Sequence, residues 1–239
     1  MTVSRTTRVP VKSLAPRVLV LAAGNGDRWD NYRGTAKHFL NVEGEVLIQR
    51  TVKQFKRYAN DVVVVGSSDA YTIEGASLYI PQPAAENTDF GDVLKFYSSM
   101  TLWSSTRTVL VFGDVYFTDE AVDQIMSTND SFTFLLRDSF DALGGSRREV
   151  FAISFDGSMN STVSHHILTL ARDHSAPYAG GWFLYRSLTR PSWDVTTHCI
   201  KIDDWTTDFD CPEDVILWEA RRKEKAELDA GGDFITDSL

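Results

Sequence analysis

The sequence predicts an α/β domain built on a doubly wound, mostly parallel sheet with a mixed antiparallel C-terminal part. Up to about residue 126, buried strands alternate with amphipathic helices, which is typical of doubly wound sheets. From residue 132 the pattern changes to the successive strand-like segments FTFLL and EVFAISFDG, which indicate antiparallel pairing. We therefore predict one mixed sheet covered by helices.

The elements of the first half follow from hydrophobic patterning. Three continuous apolar runs predict central strands covered on both faces: VLVLAA at 18–23, DVVVVG at 61–66 and TVLVF at 108–112. A weaker strand is predicted at 77–80. Apolar residues recur at helical spacing in residues 47–59, which predicts an amphipathic helix. Helices are also expected at 92–103 and, after an N-cap at Thr118, up to Met126.

The second half is predicted from turn signals. Asp156-Gly157 is expected to form a hairpin turn between two alternating segments, and GGWFLYR at 180–186 to form another strand. The last helix should begin near Pro212, because proline is favoured in the first helical turn. No internal repeat or linker divides the chain, so we predict a single domain over residues 17–226. A flexible arm (1–16) and a mobile tail (227–239) complete the prediction.

Composition and charge narrow the possible functions. With 43% hydrophobic and 24% charged residues, the sequence resembles an ordinary folded, soluble domain. Its net charge of −9 disfavours binding to nucleic acid. No segment reaches the ~20 apolar residues of a membrane span, and the N-terminal stretch lacks the apolar core of a signal peptide. Cys199 and Cys211 are too few for a disulfide framework, which indicates a reducing, cytoplasmic location.

The first candidate site is the glycine-rich turn LAAGNGDRW at 21–29. Such a turn lets backbone N–H groups approach phosphate oxygens. The dinucleotide fingerprint is excluded because Trp29 stands at the third glycine position, and the P-loop because residues 34–37 read GTAK. An ordinary strand-to-loop turn is the alternative. Arg28 and Lys37 favour triphosphate binding, since they add two cations beside the turn.

Carboxylates mark two further candidate sites. Asp114 follows a predicted central strand, and ligands of open α/β sheets bind beyond the carboxyl ends of the strands. It could hold Mg²⁺ or cap a turn. Asp208 and Asp210 project from one face of an extended segment and could share a hard cation. Asp210 with Glu213 also fits a capping box at the start of the last helix.

Together these motifs resemble the nucleotidyltransferases that activate sugar, polyol and choline phosphates. The family pattern comprises LAAG-x-G-x-R, Pro-Lys, G-x-P-L-I-x-R, a strand ending in Gly-Asp, and D-I-D-T-P-E-D-L. This chain reads LAAGNGDR, a lysine, EGEVLIQRTV, FGD and DFDCPEDV. The resemblance extends over residues 18–215. It implies the MobA-like, Rossmann-like fold of the nucleotide-diphospho-sugar transferases.

The resemblance also implies roles for particular residues. The implied catalytic residues are Arg28, Lys37, Asp114 and Asp210. The implied nucleotide-binding residues are Ala22, Ala23, Gly24, Asn25, Gly26 and Arg28, with Asn87 at the base. Asp114 and Asp210 would ligate Mg²⁺ or Mn²⁺. Gly180, Gly181 and Asp208 would contact the acceptor.

The implied reaction is attack by an acceptor phosphate on the α-phosphorus of a nucleoside triphosphate, with release of pyrophosphate. The chain departs from the family pattern at Ala36, which replaces the proline, and in a longer loop (WDNYRGT). It also lacks the Glu-Lys pair that many sugar-specific members carry, so the acceptor is left open. One alternative is a glycosyltransferase of the same fold, which normally carries Asp-x-Asp where this chain has Gly113-Asp114. The other is a non-catalytic nucleotide-binding relative.

Overall fold

A computed structural model describes residues 15–23, 28–81, 93–137, 149–172, 180–189 and 199–231 of the 239-residue chain. The strands in chain order are β1 Arg17–Leu21, β2 Asn41–Val42, β3 Glu45–Val46, β4 Asp61–Val65, β5 Ser77–Tyr79, β6 Arg107–Phe112, β7 Val115–Tyr116, β8 Phe132–Arg137, β9 Glu149–Asp156, β10 Cys199–Lys201 and β11 Thr207–Asp208. The α-helices are α1 Leu47–Lys56, α2 Leu94–Ser99, α3 Asp119–Ser127, α4 Asn160–Arg172, α5 Gly181–Thr189 and α6 Pro212–Gly231.

Seven strands form the central sheet, in the order β10-β8-β9-β6-β1-β4-β5. Strand β9 is antiparallel to both of its neighbours, whereas the other strand pairs of this sheet are parallel. The β1, β4 and β6 strands are almost entirely buried, as their continuous apolar sequences predict. The predicted fold class, including the antiparallel C-terminal part, is confirmed.

Helices cover this sheet in two packed groups. Helix α1 packs on α3, and helix α4 packs on both α2 and α5. The buried positions of α1 include Ile48, Val52 and Phe55, which fit its predicted apolar face. Thr118 caps α3, since its side chain accepts a hydrogen bond from the backbone N–H of Ala121. The helices predicted from spacing and capping signals therefore form as expected.

The predicted hairpin at Asp156-Gly157 is wrong. Gly157 instead leads through a 3-10 turn into α4. A Cβ atom on Gly157 would lie 2.0 Å from the carbonyl oxygen of Ser105, so glycine is needed for this close approach to the loop before β6. Val163, Ile167 and Ala171 are buried one helical turn apart. This four-residue spacing was the signal for a helix.

The predicted strand at 180–186 is also wrong, because the segment forms helix α5. Leu184 and Leu188 lie four residues apart and are buried against the core. A short apolar run is compatible with a buried helix as well as with a strand. The aromatic residues of this segment favour the prediction of a strand, because aromatic residues are common in strands. His165 and His166 both lie on α4, where His166 Nδ1 is 2.7 Å from Ser187 Oγ on α5.

A second hydrophobic cluster lies beneath α6 and is separate from the core of the sheet. It includes Trp29, Leu40, Tyr116, Phe209 and Trp218. The cluster therefore joins the loop after β1, strand β7, the residue that follows β11, and the last helix. Helix α6 continues to Gly231, beyond the predicted domain end at residue 226. None of the helices in the described ranges has the length and apolar character needed to cross a bilayer.

Candidate active site

The carboxyl ends of β1 and β6 meet at one edge of the sheet, because the two strands are parallel neighbours. The backbone N–H of Gly113 donates to the carbonyl of Leu21 over 2.9 Å. A Cβ atom on Gly113 would lie 3.0 Å from Ala22 Cβ and 3.2 Å from a ring carbon of His38. A glycine here lets the two strand ends approach closely. Asp114 follows directly and reaches the same edge as the turn after β1.

Lys37 brings a cation to this edge. It begins a 3-10 turn that ends at Phe39 and contains the buried His38. The Lys37 ammonium donates to Asp114 and lies 3.5 Å from an oxygen of Asp210. Lys37 therefore lies among the predicted site residues, although the loop before it is longer than in the family pattern and lacks the proline.

The Lys37–Asp114 contact also determines the charge of both groups. Burial alone would lower the pKa of Lys37, but the carboxylates of Asp114 and Asp210 raise it above its usual range. Burial would likewise raise the pKa of Asp114, but the Lys37 ammonium holds it well below the ordinary carboxyl range. The two groups are therefore an ion pair at neutral pH.

The segment around Asp210 is fixed to the segment that carries Asp114. Strand β11 pairs with β7 in antiparallel register, with Asp208 opposite Val115. Phe209 is fully buried, and its backbone N–H donates to the carbonyl of Asp114 over 3.0 Å. The Asp210 side chain then accepts a 2.7 Å hydrogen bond from Arg28. All four predicted catalytic residues are thus brought together.

A set of carboxylates lies beside these residues. One ligand oxygen from each of Glu149, Asp208 and Asp210 lies within 4.8 Å of the other two. Burial and the neighbouring carboxylates of Glu149, Asp210 and Asp114 raise the pKa of Asp208. Closely spaced carboxylate oxygens are the donors that hard divalent cations prefer, so this part of the site fits Mg²⁺ or Mn²⁺.

Glu149 was not predicted from the sequence. It is the first residue of β9, and it reaches the site because β9 is inserted antiparallel between β6 and β8. No neighbouring motif marks it. The one sequence feature that could have indicated Glu149 is its position as a charged residue at the start of an otherwise apolar strand, in the segment EVFAIS.

The predicted capping role of Asp210 and Glu213 is corrected by the structure. At the start of α6, the Asp214 carboxylate accepts hydrogen bonds from the backbone N–H groups of Asp210 and Cys211. The Asp210 carboxylate faces Arg28 and Lys37 instead. Helix capping and site contacts are therefore divided between two aspartates.

The remaining predicted residues have varied positions. Ala22 is buried, and its N–H donates to the carbonyl of Val65. Gly181 opens α5, where a Cβ atom would come within 3.0 Å of Val150 and 3.2 Å of Phe112. This places Gly180 and Gly181 near the start of β9 and hence near Glu149. Outside the described residues lie Gly24, Asn25, Gly26 and Asn87.

Comparison with known proteins identifies a family. Residues 18–154, more than half of the chain, match the family described as the MobA-like NTP transferase domain. The matched segment contains Arg28, Lys37 and Asp114, as well as Glu149. A sequence search of curated proteins found no significant match.

Solved structures share the fold at low sequence identity. A candidate glucose-1-phosphate thymidylyltransferase from Bacillus anthracis is 16% identical, with a TM-score of 0.58, over 86% of this chain and 94% of that chain. The 2-C-methyl-D-erythritol 4-phosphate cytidylyltransferase from Thermus thermophilus is 16% identical, with a TM-score of 0.58, over 87% and 99%. The inositol-1-phosphate CTP transferase from T. maritima is 16% identical, with a TM-score of 0.53, over 86% and 94%.

Proposed function

The chain belongs to the MobA-like NTP transferase family, and from this premise we propose that it is an active nucleotidyltransferase. It moves a nucleoside monophosphate from a nucleoside triphosphate to a small phosphorylated acceptor and releases pyrophosphate. The acceptor class is a sugar 1-phosphate or the phosphate of a polyol or choline. The similar solved structures support this class, because their names specify phosphorylated sugars and alcohols.

The observation that carries the proposal is the position of Lys37. Its ammonium lies between Asp114 and Asp210, and Arg28 donates to the other oxygen of the Asp210 carboxylate. Two cations and two carboxylates therefore converge at the carboxyl ends of parallel strands, where nucleotides bind in open α/β sheets. Nucleotidyl transfer needs this combination, because its acceleration comes mainly from alignment and charge stabilisation.

Asp114 and Asp210 are the residues proposed to hold Mg²⁺ or Mn²⁺. Asp210 also belongs to the carboxylate cluster with Glu149 and Asp208, which would add ligands on its side of the site, whereas Asp114 is paired with Lys37. When bound, a divalent cation supplies charge neutralisation for the triphosphate and helps to orient it. The oxygen-only donor set supports a hard ion rather than zinc or copper.

The cationic side chains would act on the phosphates. Arg28 is 61% exposed, so its planar fork can turn from Asp210 to the β- and γ-phosphates. Lys37 is largely buried and beside Asp114, so it is suited to stabilise charge that develops near the α-phosphate. Gly180, Gly181 and Asp208 are proposed to contact the acceptor.

A pyrophosphate-release assay tests the proposal. Each of the four common nucleoside triphosphates would be incubated with Mg²⁺ and a panel of sugar 1-phosphates, polyol phosphates and choline phosphate. We expect pyrophosphate with one preferred pair, and a loss of turnover of at least about 100-fold in Asp114→Asn and Asp210→Asn. Turnover of a nucleotide sugar instead would support a glycosyltransferase, and binding without turnover would support a non-catalytic relative.

The proposed setting is the cytoplasm, with small-molecule substrates as partners. The chain has two cysteines, Cys199 and Cys211, which are too few for a disulfide framework, and this supports a reducing compartment. The acidic net charge supports small phosphorylated substrates delivered with a metal ion rather than a nucleic acid. Fractionation of the source cells followed by immunodetection would test the location.

A further inference from the structure

A buried arginine outside the predicted site holds the segment that carries the site carboxylates. Arg137 is the last residue of β8 and is 4% exposed. One terminal nitrogen of its guanidinium donates to the carbonyl of Asp204 over 2.9 Å and to that of Thr206 over 2.6 Å. The guanidinium also lies 5.5 Å from the centre of the Phe151 ring. A buried cation is therefore directed at the backbone just before β11.

The segment held by Arg137 is also tied to the start of α3. Thr118 donates to the Asp204 carboxylate over 2.6 Å, and its own backbone N–H donates to the Thr206 hydroxyl over 3.0 Å. The other oxygen of Asp204 accepts the N–H of Thr206. Thr206 is fully buried. These contacts form a closed polar network, in which removing one member leaves buried groups without a partner.

The network lies next to the site in the sequence. Two residues after Thr206, Asp208 pairs with Val115, and the N–H of Phe209 then donates to the Asp114 carbonyl. A displacement of the backbone at Thr206 would therefore move Asp210 relative to Asp114. The guanidinium suits this role because its fixed geometry can hold two carbonyls at once.

We propose that Arg137 is a positioning residue that sets the location of Asp210 relative to Asp114, and thereby the affinity of the site for a divalent cation. It acts through the main chain of residues 204–206. This inference rests on the proposed function for its catalytic consequence. Its structural consequence can be measured without turnover.

The test compares Arg137→Met and Arg137→Lys with a matched control, Arg107→Met. Arg107 is another poorly exposed arginine of the sheet, and it also donates to two main-chain carbonyls, those of Thr128 and Asp130. It lies at the amino end of β6, away from the site. Loss of Arg107 should therefore destabilise the protein without moving Asp210.

Two readouts do not depend on turnover: amide hydrogen exchange of Phe209 and Mn²⁺ affinity measured by electron paramagnetic resonance. In Arg137→Met we expect at least about tenfold faster exchange and at least about tenfold weaker Mn²⁺ binding. Arg137→Lys should recover part of both losses, since lysine retains the charge and one donor to a carbonyl. Arg107→Met should match the wild type in Mn²⁺ affinity, and its Phe209 exchange should rise by no more than its loss of unfolding free energy accounts for, whereas the rise in Arg137→Met should exceed that amount.

Each result decides the proposal. Wild-type exchange or wild-type Mn²⁺ affinity in both Arg137 variants would overturn it, as would equal losses in Arg107→Met. If Arg137→Met does not fold, the comparison of Arg137→Lys with Arg107→Met decides by the same criteria. If the wild type releases no pyrophosphate with any substrate pair while the Mn²⁺ effect persists, the proposed function fails and the positioning role stands.

Discussion

The ammonium group of Lys37 donates a hydrogen bond to the carboxylate of Asp114, although 77 residues separate them in the sequence. Both side chains are mostly buried, at 12% and 17% exposure. The contact joins the loop after β1 to the end of β6. It therefore contributes to stability as well as to the charge of the site, and the two contributions can be measured separately.

The stability contribution of the Lys37–Asp114 pair should appear as non-additivity. In a double-mutant cycle with Lys37→Met and Asp114→Asn, we expect a coupling of about 1 to 3 kcal/mol in the free energy of unfolding. The exposed pair of Lys53 and Glu45 is the control, with an expected coupling below about 1 kcal/mol. Denaturant titration measures both cycles. Additive effects at Lys37 and Asp114 would show that the pair does not stabilise the fold.

Arg28→Ala should weaken binding of the preferred triphosphate at least about tenfold, because it would remove the charge-assisted hydrogen bond that Arg28 is proposed to make to a phosphate. Binding of the corresponding monophosphate should weaken much less, because the monophosphate lacks the β- and γ-phosphates. Arg33→Ala is the matched control, since Arg33 lies in the same loop but pairs with Glu219. Calorimetry with both nucleotides gives the comparison. Equal losses for the monophosphate and the triphosphate would leave the loop as a structural turn.

Asp214 accepts backbone hydrogen bonds at the start of α6, whereas Asp210 faces the site, so substitutions of the two residues should have opposite effects on stability and turnover. Asp214→Ala removes the acceptor for two backbone N–H groups and should cost about 1 kcal/mol of stability, with turnover changed less than tenfold. Asp210→Asn should retain most of the stability and lose most of the turnover. Thermal unfolding and pyrophosphate release measure the two properties. A larger stability loss in Asp210→Asn than in Asp214→Ala would return the capping role to Asp210.

Much of the fold could be predicted because the strands β1, β4 and β6 are buried on both faces and consist of continuous apolar runs. The errors fall where a short pattern has two physical solutions. Asp156-Gly157 has hairpin composition, but the glycine serves a close approach to Ser105 that depends on tertiary contact. The GGWFLYR segment is rich in aromatic residues yet buries Leu184 and Leu188 at helical spacing. Local propensity does not distinguish these cases.

The convergence of Arg28, Lys37, Asp114 and Asp210 could be predicted because sequence motifs mark these residues, and their roles in a reaction stay a prediction. The position of Glu149 could not be predicted, because its place in the site results from the antiparallel insertion of β9 between β6 and β8. The contacts of Arg137 likewise join segments about 70 residues apart. Such long-range relations leave no local periodicity in the sequence.

Ala36→Pro should restore the family proline without loss of function. Ala36 has φ −69° and ψ 147°, which are angles that proline adopts, and Thr35 before it is extended. We expect a gain of about 0.4 to 1 kcal/mol in unfolding free energy, because proline restricts the unfolded chain. Turnover should stay within about threefold. Denaturant titration and pyrophosphate release check this, and a destabilised variant would show that the turn before Lys37 needs the Ala36 N–H.

His38 makes the fold sensitive to acid. It is 3% exposed, and its Nδ1 lies 3.1 Å from the Tyr71 hydroxyl. Burial lowers the pKa of His38 from 6.5 to about 4, with Lys37 and Lys95 acting in the same direction and Asp114 opposing them. The native imidazole is therefore neutral over a pH range in which an exposed histidine is protonated.

The sign of the resulting pH dependence follows from proton binding. Between pH 6.5 and pH 4 the unfolded chain binds a proton at His38 that the native protein does not, so stability falls as the pH is lowered through this range. From pH 7.5 to pH 5 this histidine should account for about 2 kcal/mol of lost unfolding free energy. Between the two pH values, His38→Asn should therefore lose about 2 kcal/mol less unfolding free energy than the wild type. His165→Asn is the control: His165 is exposed, so this variant should lose as much as the wild type. Denaturant titrations at both pH values measure the difference, and parallel losses in wild type and His38→Asn would show that His38 is not buried in its neutral form.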